Sequence, residues 1–449
     1  MQTPSRRGDA APTRVRFGIL AMLFLVTAIN YGDRATLSIA GPAVAKELGL
    51  DPVTMGYIFS AFGWSYVAAQ LPGGWLLDRF GSRRVYAISI FAWSLFTLLQ
   101  GSIPLWATTA STAVVALFSM RLLVGLAEAP SFPANARLVA AWFPTRERGT
   151  ASAIFNSAQY FATVLFAPLM GWIAHQFGWP WVFYFMGVLG IAVSVLWLRV
   201  IYSPKAHPRL APAELALMAE GGALVHLDQP EAAQHTQPAQ KPRWSHVRQL
   251  LSNRMLLGVY VAQYAITTLT YFFLTWFPVY LVKEKHMTIL NAGFVSALPA
   301  IGGFLGGVLG GLISDALLLR GYSLTLARKI PIVAGMLLSM CMVGCNYVES
   351  SGIVVALMAL AFFGKGVGAL GWAVVSDTSP QEISGVSGAL FNTFGNSAAI
   401  TTPIVIGYIV GGTGSFDGAL VFVAANALVA VLAYVFVVGE IKRVVLKAH

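Results

Sequence analysis

Residues 17–34 have the sequence FGILAMLFLVTAINYGDR, in which a long apolar run ends with an acidic and a basic residue side by side, Asp33 and Arg34. The apolar segment continues to about Leu48, so it is long enough to cross a bilayer as one helix. A charged side chain at the bilayer centre costs roughly 2.5 to more than 10 kcal/mol. Such a pair usually lines a cavity that handles ions or polar solutes, and the alternative is a buried structural ion pair.

The composition of the whole chain is that of a polytopic membrane protein. Of its 449 residues, 57% are hydrophobic and 10% are charged, and the mean hydropathy is +0.70. A soluble domain carries about 25% charged residues. The apolar runs are long and do not alternate with period two, which excludes a β-barrel. We therefore predict an all-α membrane protein.

Twelve apolar segments have the length of a membrane-spanning helix. They cover approximately residues 17–42, 54–77, 84–102, 106–133, 148–173, 180–201, 254–282, 291–314, 328–347, 352–377, 383–411 and 417–439. A long polar stretch separates the sixth from the seventh. The predicted organisation is an N-terminal six-helix half (1–201), a cytoplasmic linker (202–253) and a C-terminal six-helix half (254–449).

The basic residues are distributed unevenly among the loops. They cluster in the N-terminal tail, in the linker and after the second, fourth and eighth segments, as in Arg79, Arg83, Arg84, Arg137, Arg146, Arg148, Arg320, Arg328 and Lys329. This positive-inside pattern predicts that both termini and the linker are cytoplasmic. The net charge of +11 therefore reflects topology rather than nucleic-acid binding.

The two halves show a faint internal repeat. The second segment ends in Gly73-Gly-Trp-Leu-Leu-Asp-Arg79, and the eighth, its counterpart, ends in Gly310-Gly-Leu-Ile-Ser-Asp315. Duplicated halves with substrate held between them are typical of transporters. The eighth segment also carries glycine pairs every four residues from Gly302 to Gly311, a smooth stripe that predicts either close static packing or sliding of helices.

A motif at the end of the second segment resembles a known superfamily. The pattern is Gly74-x-x-x-Asp78-Arg79-x-Gly81-x-Arg83-Arg84, which resembles the signature of the loop between helices 2 and 3 in the major facilitator superfamily. The resemblance implies two pseudosymmetric six-helix halves and a conformational latch formed by Gly74, Asp78, Arg79, Gly81 and Arg83. The charges of such a latch can pair in one conformation and separate in another.

Further stretches resemble the anion:cation symporter family, and within it the bacterial galactarate/glucarate permeases. They are Asn-Tyr-Gly-Asp-Arg-Ala-Thr-Leu-Ser (30–38), Gly-Tyr-Ile-Phe-Ser-Ala-Phe-Gly-Trp-Ser-Tyr (56–66), Glu-Ala-Pro-Ser-Phe-Pro-Ala-Asn-Ala-Arg (128–137), Gly-Thr-Ala-Ser-Ala-Ile-Phe-Asn-Ser-Ala-Gln-Tyr (149–160), Phe-Phe-Leu-Thr-Trp-Phe-Pro (272–278), Phe-Phe-Gly-Lys-Gly (362–366) and Gly-Trp (371–372). The resemblance implies import of organic anions together with protons.

Asp33 and Glu128 are the candidate proton carriers, with Arg121 as a nearby cation. A carboxyl in a low-dielectric cavity favours its neutral form, whereas a neighbouring cation favours the charged form. Substrate arrival can therefore switch proton binding, and the resemblance implies the same roles. The alternative for Glu128 is a permanent salt bridge to Arg121, seven residues earlier on nearly the same helix face.

Arg34 and Lys365 are the candidates for binding two substrate carboxylates. A guanidinium offers bidentate hydrogen bonds to a carboxylate. Lys365 lies between glycines in the tenth segment, in the other half, so the two cations are placed to hold opposite ends of a dicarboxylate. The alternative for Lys365 is snorkelling or pairing with Asp377, which lies twelve residues away, roughly 18 Å along a helix.

Neutral side chains are expected to bind the hydroxyl groups of a sugar acid. The resemblance implies this role for Tyr31, Tyr66, Gln159, Asn392 and the aromatic Trp372. Weaker candidates are Gln263, Tyr271, Trp276 and Asn396; a tryptophan such as Trp276 is more often an interfacial anchor.

These observations predict a proton-coupled symporter that imports a hexarate dianion, D-glucarate or galactarate, by alternating access. The alternatives are symport of a sugar-acid monoanion (galactonate, gluconate or hexuronate) and a non-transporting membrane sensor of sugar acids. No metal-ligand cluster, nucleophile elbow or phosphate loop indicates an enzyme, and we expect neither cofactor nor metal. We expect a monomer in the bacterial inner membrane.

Overall fold

The computed structural model describes residues 13–227, 244–380 and 383–446. The N-terminal half contains six helices of membrane length: α1 (Val15–Leu48), α2 (Pro52–Phe80), α3 (Ser82–Trp106), α4 (Ala110–Trp142), α5 (Arg148–Phe177) and α6 (Pro180–Val200). Asp51 begins α2 by accepting hydrogen bonds from the backbone N–H groups of Val53 and Thr54. The pKa of Asp51 lies below its usual range, mainly because the hydroxyl and the backbone N–H of Thr54 donate hydrogen bonds to its carboxylate.

The C-terminal half repeats this arrangement with six more helices: α7 (Arg254–Lys283), α8 (Ile289–Leu319), α9 (Leu324–Tyr347), α10 (Ser351–Thr378), α11 (Ser384–Thr413) and α12 (Asp417–Val437). Among the described residues, eleven helices are long and apolar enough to cross a membrane. The remaining one, α2, has 29 residues and carries several Gly, Ser and aromatic residues. The predicted twelve-helix architecture is confirmed.

Helix packing follows the same scheme in both halves. In the first half α1 packs on α5, α2 on α4, and α3 on both α4 and α6. In the second half α7 packs on α11, α8 on α10, and α9 on both α10 and α12. The halves meet where α2 packs on α11 and where α5 packs on α8. This correspondence is the pseudosymmetry that the repeat at Asp78 and Asp315 predicts.

The glycine stripe of α8 packs against α10. A Cβ atom on Gly306 would come 2.0 Å from the carbonyl oxygen of Phe363, and one on Gly310 would come 2.3 Å from that of Val367. Such distances leave room for hydrogen only. In this conformation the stripe therefore provides close packing within the C-terminal half.

The two ends of the bundle differ in how the halves meet. We call the end that carries the linker the linker face, and the other end the opposite face. At the opposite face the halves are joined directly: Ser38 of α1 donates a 2.9 Å hydrogen bond to the carbonyl oxygen of Thr275 in α7, and the rings of Phe59 and Trp276 meet edge to face at 5.3 Å. This end is closed.

At the linker face, by contrast, the last segments of α4 and α10, Ser131–Trp142 and Gly371–Thr378, pack on helices of their own halves. Asn392 of α11 and Gln70 of α2 form a hydrogen bond of 3.0 Å between the halves, on the linker side of the bundle centre. The direct contacts of Ser38 with Thr275 and of Phe59 with Trp276 are at the opposite face, the arrangement of an alternating-access protein that opens towards the linker face.

The part of the linker up to residue 227 packs on the N-terminal half, whereas its second helix contacts α7. It contains the short helices Pro212–Glu220 and Trp244–Ser252, and its residues 228–243 lie outside the described part. Glu214 is fully buried and accepts hydrogen bonds from the backbone N–H groups of Val15 and Arg16 and from the Thr13 hydroxyl. The Arg16 guanidinium also pairs with it at 3.1 Å. The linker therefore caps the start of α1.

Candidate functional site

Two broken helices place charged residues near the middle of the bundle. The first segment of α4 ends at Glu128, and the helix resumes at Ser131 after Pro130, as the proline there predicts. Its counterpart α10 is interrupted after Val367, and Lys365 lies in the last helical turn before the break. The C-terminal end of a helix favours a cation and disfavours an anion, so Lys365 is stabilised there and Glu128 needs a partner.

Arg34 is the partner of Glu128. Its Nε donates a 2.8 Å hydrogen bond to Oε2 of Glu128, and both side chains are buried. The predicted alternative of a Glu128–Arg121 salt bridge is therefore not the pairing seen. Arg121 is 3% exposed, and its Nε and Nη1 atoms have no hydrogen-bond partner within the described residues. Arg121 remains available as a second cation beside the pair.

Asp33 faces a different helix from Arg34. Its Oδ2 accepts a 2.8 Å hydrogen bond from the hydroxyl of Thr97 on α3. The other oxygen, Oδ1, is buried and has no hydrogen-bond partner among the described residues. The structure thus brings the predicted proton-coupling residues into one buried cluster, in which the two carboxyls have separate partners.

Aromatic rings surround the Arg34 guanidinium. Its Cζ atom lies 4.9 Å from the ring centre of Tyr31, 4.6 Å from that of Phe62 and 4.8 Å from that of Tyr66. Arg121 lies on Phe62 as well, at 5.6 Å. Cation–π contacts of this kind stabilise a buried guanidinium without neutralising its charge.

Lys365 is the charged residue that enters from the C-terminal half. It is 6% exposed and has no salt-bridge partner in the described ranges 13–227, 244–380 and 383–446. Its Nζ atom lies 5.1 Å from the ring centre of Phe362 and 6.0 Å from that of Tyr160. Neither alternative predicted for Lys365 is seen. Asp377 pairs with Arg328 at 2.8 Å instead of with Lys365, and the buried ammonium does not snorkel.

A cavity lies between the halves, and its walls include aromatic neighbours of the two cations. Its walls come from α1, α5, α7, α8 and α10 and include Tyr31, Ser38, Gln159, Tyr160, Phe273 and Phe362. Tyr31 is in contact with Arg34, and Tyr160 and Phe362 are in contact with Lys365. The predicted substrate residues Tyr31 and Gln159 therefore line this cavity, whereas Tyr66 is 2% exposed behind Arg34.

Four polar side chains form a hydrogen-bonded chain from one half to the other. Tyr271 donates to Asn396, Asn396 donates to Asn392, and Asn392 donates to Gln70, at 3.1, 2.9 and 3.0 Å. Three of them were predicted as substrate contacts, and the structure brings them together. Gln70, from α2, was not predicted.

Three other candidates lie elsewhere. Trp276 is 1% exposed and donates to the carbonyl oxygen of Pro403, so it packs in the closed opposite face and is not an interfacial anchor. Trp372 is 57% exposed and packs on Phe391. Gln263 donates to Thr267 one turn further along α7. None of the three is among the residues that line the cavity described above.

The latch motif is paired within its own half. Asp78 forms an ion pair with Arg137 at the end of α4, and Arg137 also donates to the carbonyl oxygen of Leu227 in the linker. Arg83 donates to the carbonyl oxygen of Leu198.

The other latch residues make no hydrogen bond or ion pair to the C-terminal half within the described part of the chain. Arg79 lies on the rings of two neighbours on its own helix, Trp75 and Phe80. Gly81 has a φ of 79° between α2 and α3, and no atom lies within 4 Å of a Cβ built on Gly74.

Thr97, Gln70 and Phe62 belong to the site and were missed from the sequence. A threonine, a glutamine and a phenylalanine are ordinary in membrane helices, so nothing in the pattern separates them from packing residues. A charge within an apolar run, in contrast, is conspicuous. The sequence therefore identified the charged members of the cluster and not their neutral partners.

A membrane bundle of two six-helix halves, with a cavity between them and buried charged residues near its centre, is the architecture of a solute transporter. The chain belongs to the Major Facilitator Superfamily, whose sequence model matches residues 23–403. Family and fold confirm the predicted transporter class, and the chain is not an enzyme.

Curated relatives match almost the whole chain. It is 64% identical over 435 residues to the probable galactarate/D-glucarate transporter GudP of Bacillus subtilis (strain 168), covering 97% of this chain and 94% of that protein. It is 61% identical to the protein of the same description in Escherichia coli (strain K12), covering 97% and 96%. The D-galactonate transporter of Escherichia coli O6:H1 is 41% identical, covering 97% and 98%. These relatives confirm the family predicted from the sequence.

Solved structures of transporters share the fold. A bacterial homologue of the human lysosomal transporter Spinster, in an inward-facing and unoccupied conformation, superposes with a TM-score of 0.68 at 15% identity, covering 95% of this chain and 96% of that one. A D-xylose–proton symporter superposes with a TM-score of 0.67 at 16% identity, covering 95% and 98%.

Proposed function

We propose that this protein imports a hexarate dianion, D-glucarate or galactarate, together with protons. The observation that carries the proposal is Lys365, a buried ammonium without an ion-pair partner among the described residues, in the half opposite the one that carries Arg34. Rings that contact each of these two cations line the cavity between the halves. An unpaired buried charge is costly, so a ligand of opposite charge is favoured there. A substrate with a carboxylate at each end satisfies Arg34 with one end and Lys365 with the other. The names of the relatives at 58–64% identity support this substrate class.

The Arg34–Glu128 pair supports a means of coupling. A substrate carboxylate that takes the Arg34 guanidinium leaves Glu128 without its cation, in a buried site where the neutral form is then favoured. Glu128 therefore takes a proton when substrate binds and loses it when Arg34 returns. Asp33, with Thr97 as its partner, serves as a second proton site near Arg121.

Two proton sites match the charge of the substrate. An inside-negative membrane potential opposes entry of a dianion by about 2.3 kcal/mol per charge per 100 mV. Two protons per hexarate make transport electroneutral. Tyr31 and Gln159 are placed to bind the substrate hydroxyls from the cavity wall, with Asn392, Asn396 and Tyr271 on its linker side.

For the setting of this activity we propose a monomer in a bacterial inner membrane, with both termini and the linker in the cytoplasm. The basic loops support this orientation. The halves 1–201 and 254–449 then move about the central cavity, and the latch around Asp78 pairs across the halves when the linker face closes. In the present conformation Asp78 pairs with Arg137.

The test of the substrate class is Lys365→Asn, measured by counterflow of labelled D-glucarate in proteoliposomes. Loss of a buried cation that pairs with a carboxylate costs at least about 2 kcal/mol, so the half-saturating concentration of D-glucarate should rise about 30-fold or more. The preference for D-glucarate over D-galactonate, which has one carboxylate, should fall by about tenfold or more. Lys283→Asn, at the exposed end of α7, is the control and should match wild type. Equal losses for both sugar acids would refute the dicarboxylate site.

A further inference from the structure

Thr97 is buried on α3 in contact with Asp33, and sequence patterns gave it no role. It is 0% exposed, and its hydroxyl oxygen lies 2.8 Å from Oδ2 of Asp33. This is the hydrogen bond that the Asp33 carboxyl makes within the described residues, because its other oxygen has no partner there. The two residues are 64 positions apart, on helices that the fold places side by side.

The hydroxyl of Thr97 is used differently from those of three other buried threonines in the bundle. Thr268, Thr275 and Thr378 each donate to the backbone carbonyl four residues earlier, the usual bond of a threonine inside a helix. Thr97 instead donates to a carboxyl on another helix. A hydroxyl has one proton to donate, so the bond to Asp33 replaces the bond to its own helix.

The charged groups that act on Asp33 come from two helices. They are Arg34 on α1, and Arg121 and Glu128 on α4. Arg34 is engaged by Glu128, and Arg121 makes no hydrogen bond through Nε or Nη1 within the described part of the chain. Thr97 is thus the group that bonds the Asp33 carboxyl directly, and the cations act through space.

We infer that Thr97 is a positioning residue for proton coupling, which sets the pH at which Asp33 takes up and releases its proton. The inference rests on the proposed proton symport. When Asp33 is ionised, the hydroxyl donates to it. When Asp33 is protonated, the hydroxyl turns and accepts the acid proton, because a threonine can donate or accept. One neutral side chain therefore serves both states of the cycle without adding charge.

The test is the pH dependence of labelled D-glucarate counterflow, with equal pH on both sides of the proteoliposome. Thr97→Val keeps the shape and removes the hydroxyl, so the ionised form of Asp33 loses a hydrogen bond. Asp33 then keeps its proton up to a higher pH. The pH at which counterflow falls to half its maximum on the alkaline side, the midpoint, should therefore rise by about one unit, a tenfold change in proton affinity. Thr97→Ser restores the hydroxyl and should return the midpoint to that of wild type.

Two comparisons separate this role from packing. Thr268→Val removes an equally buried hydroxyl that bonds its own helix, and it should leave the midpoint unchanged. In an Asp33→Asn background, Thr97→Val should cause no further shift. A Thr97→Val midpoint equal to wild type, or a shift that persists with Asp33→Asn, would overturn the inference. Thr97→Cys, a weaker donor of similar size, should shift the midpoint in the same direction, and an unchanged midpoint would count against the inference equally.

The proposed symport has its own test. It is refuted if wild-type protein does not concentrate D-glucarate in response to a pH gradient. If wild type does so and Thr97→Val retains the wild-type pH profile, only the role of Thr97 is wrong.

Discussion

Glu128 has a hydrogen-bonded cation on one carboxyl oxygen and no hydrogen-bond partner, within the described residues, on the other. Glu128→Gln keeps the size and an acceptor for Arg34 but can no longer exchange a proton. We expect counterflow of D-glucarate to persist, because it needs no net proton movement, while accumulation driven by a pH gradient is lost. Both are measured on the same proteoliposomes.

Glu440→Gln is the control for that substitution. Its side chain is 70% exposed and pairs with Lys442 at the surface, so both activities should be retained. Gradient-driven accumulation by Glu128→Gln at the wild-type level would remove Glu128 from the coupling mechanism.

The sequence predicted which residues carry charge inside the membrane but not how they pair. Asp33, Arg34, Arg121, Glu128 and Lys365 are conspicuous because each interrupts an apolar run. Arg34 and Glu128 are 94 positions apart, and their contact depends on how α1 and α4 are rotated about their axes. Helical spacing favoured Arg121 as the partner of Glu128, because spacing along the sequence identifies only neighbours on the same helix.

At the scale of helices, the existence of all twelve was predictable from apolar length, whereas their ends and interruptions were less so. The fourth predicted segment, 106–133, stops well short of Trp142, where α4 ends. The proline after Glu128 predicts the interruption there. The break in α10 after Val367 has no proline, and its glycines admit either a helix or a break.

The linker is the element that sequence described least well. Its polar composition predicts a connection between the halves, yet Glu214 is fully buried and caps α1. Glu214→Gln removes the charge that pairs with Arg16 and should destabilise the folded protein by about 3 kcal/mol. We expect a Tm lower by a few degrees in a thermal unfolding scan of the purified protein.

Glu220→Gln provides a matched control for that prediction, because Glu220 lies on the same short helix and is exposed. Its Tm should equal that of wild type. An unchanged Tm for Glu214→Gln would show that the contact with the start of α1 does not stabilise the fold.

For the whole molecule, the fold class followed from the sequence and the conformation did not. Both conformations of an alternating-access protein are built from the same helices and differ in contacts between the halves, so hydropathy does not distinguish them. The Ser38–Thr275 bond and the Phe59–Trp276 contact define the closed opposite face.

We expect the open face to change from the linker face to the opposite face when substrate and protons are bound. Spin labels at Arg146 and Arg320, exposed at the linker ends of the two halves, should come closer on addition of D-glucarate at acid pH. Labels at Lys46 and Lys283, at the opposite face, should move apart. Cys341 and Cys345 are first replaced by Ala so that they do not react. Distances that stay fixed at both faces would contradict movement of the halves.

Proton-coupled import of a hexarate is tested most directly by uptake of labelled D-glucarate by wild-type protein in proteoliposomes with an inwardly directed proton gradient. We predict accumulation above the external concentration that a protonophore abolishes and that galactarate inhibits by competition. An absence of accumulation, or accumulation unaffected by the protonophore, would contradict proton-coupled import of a hexarate.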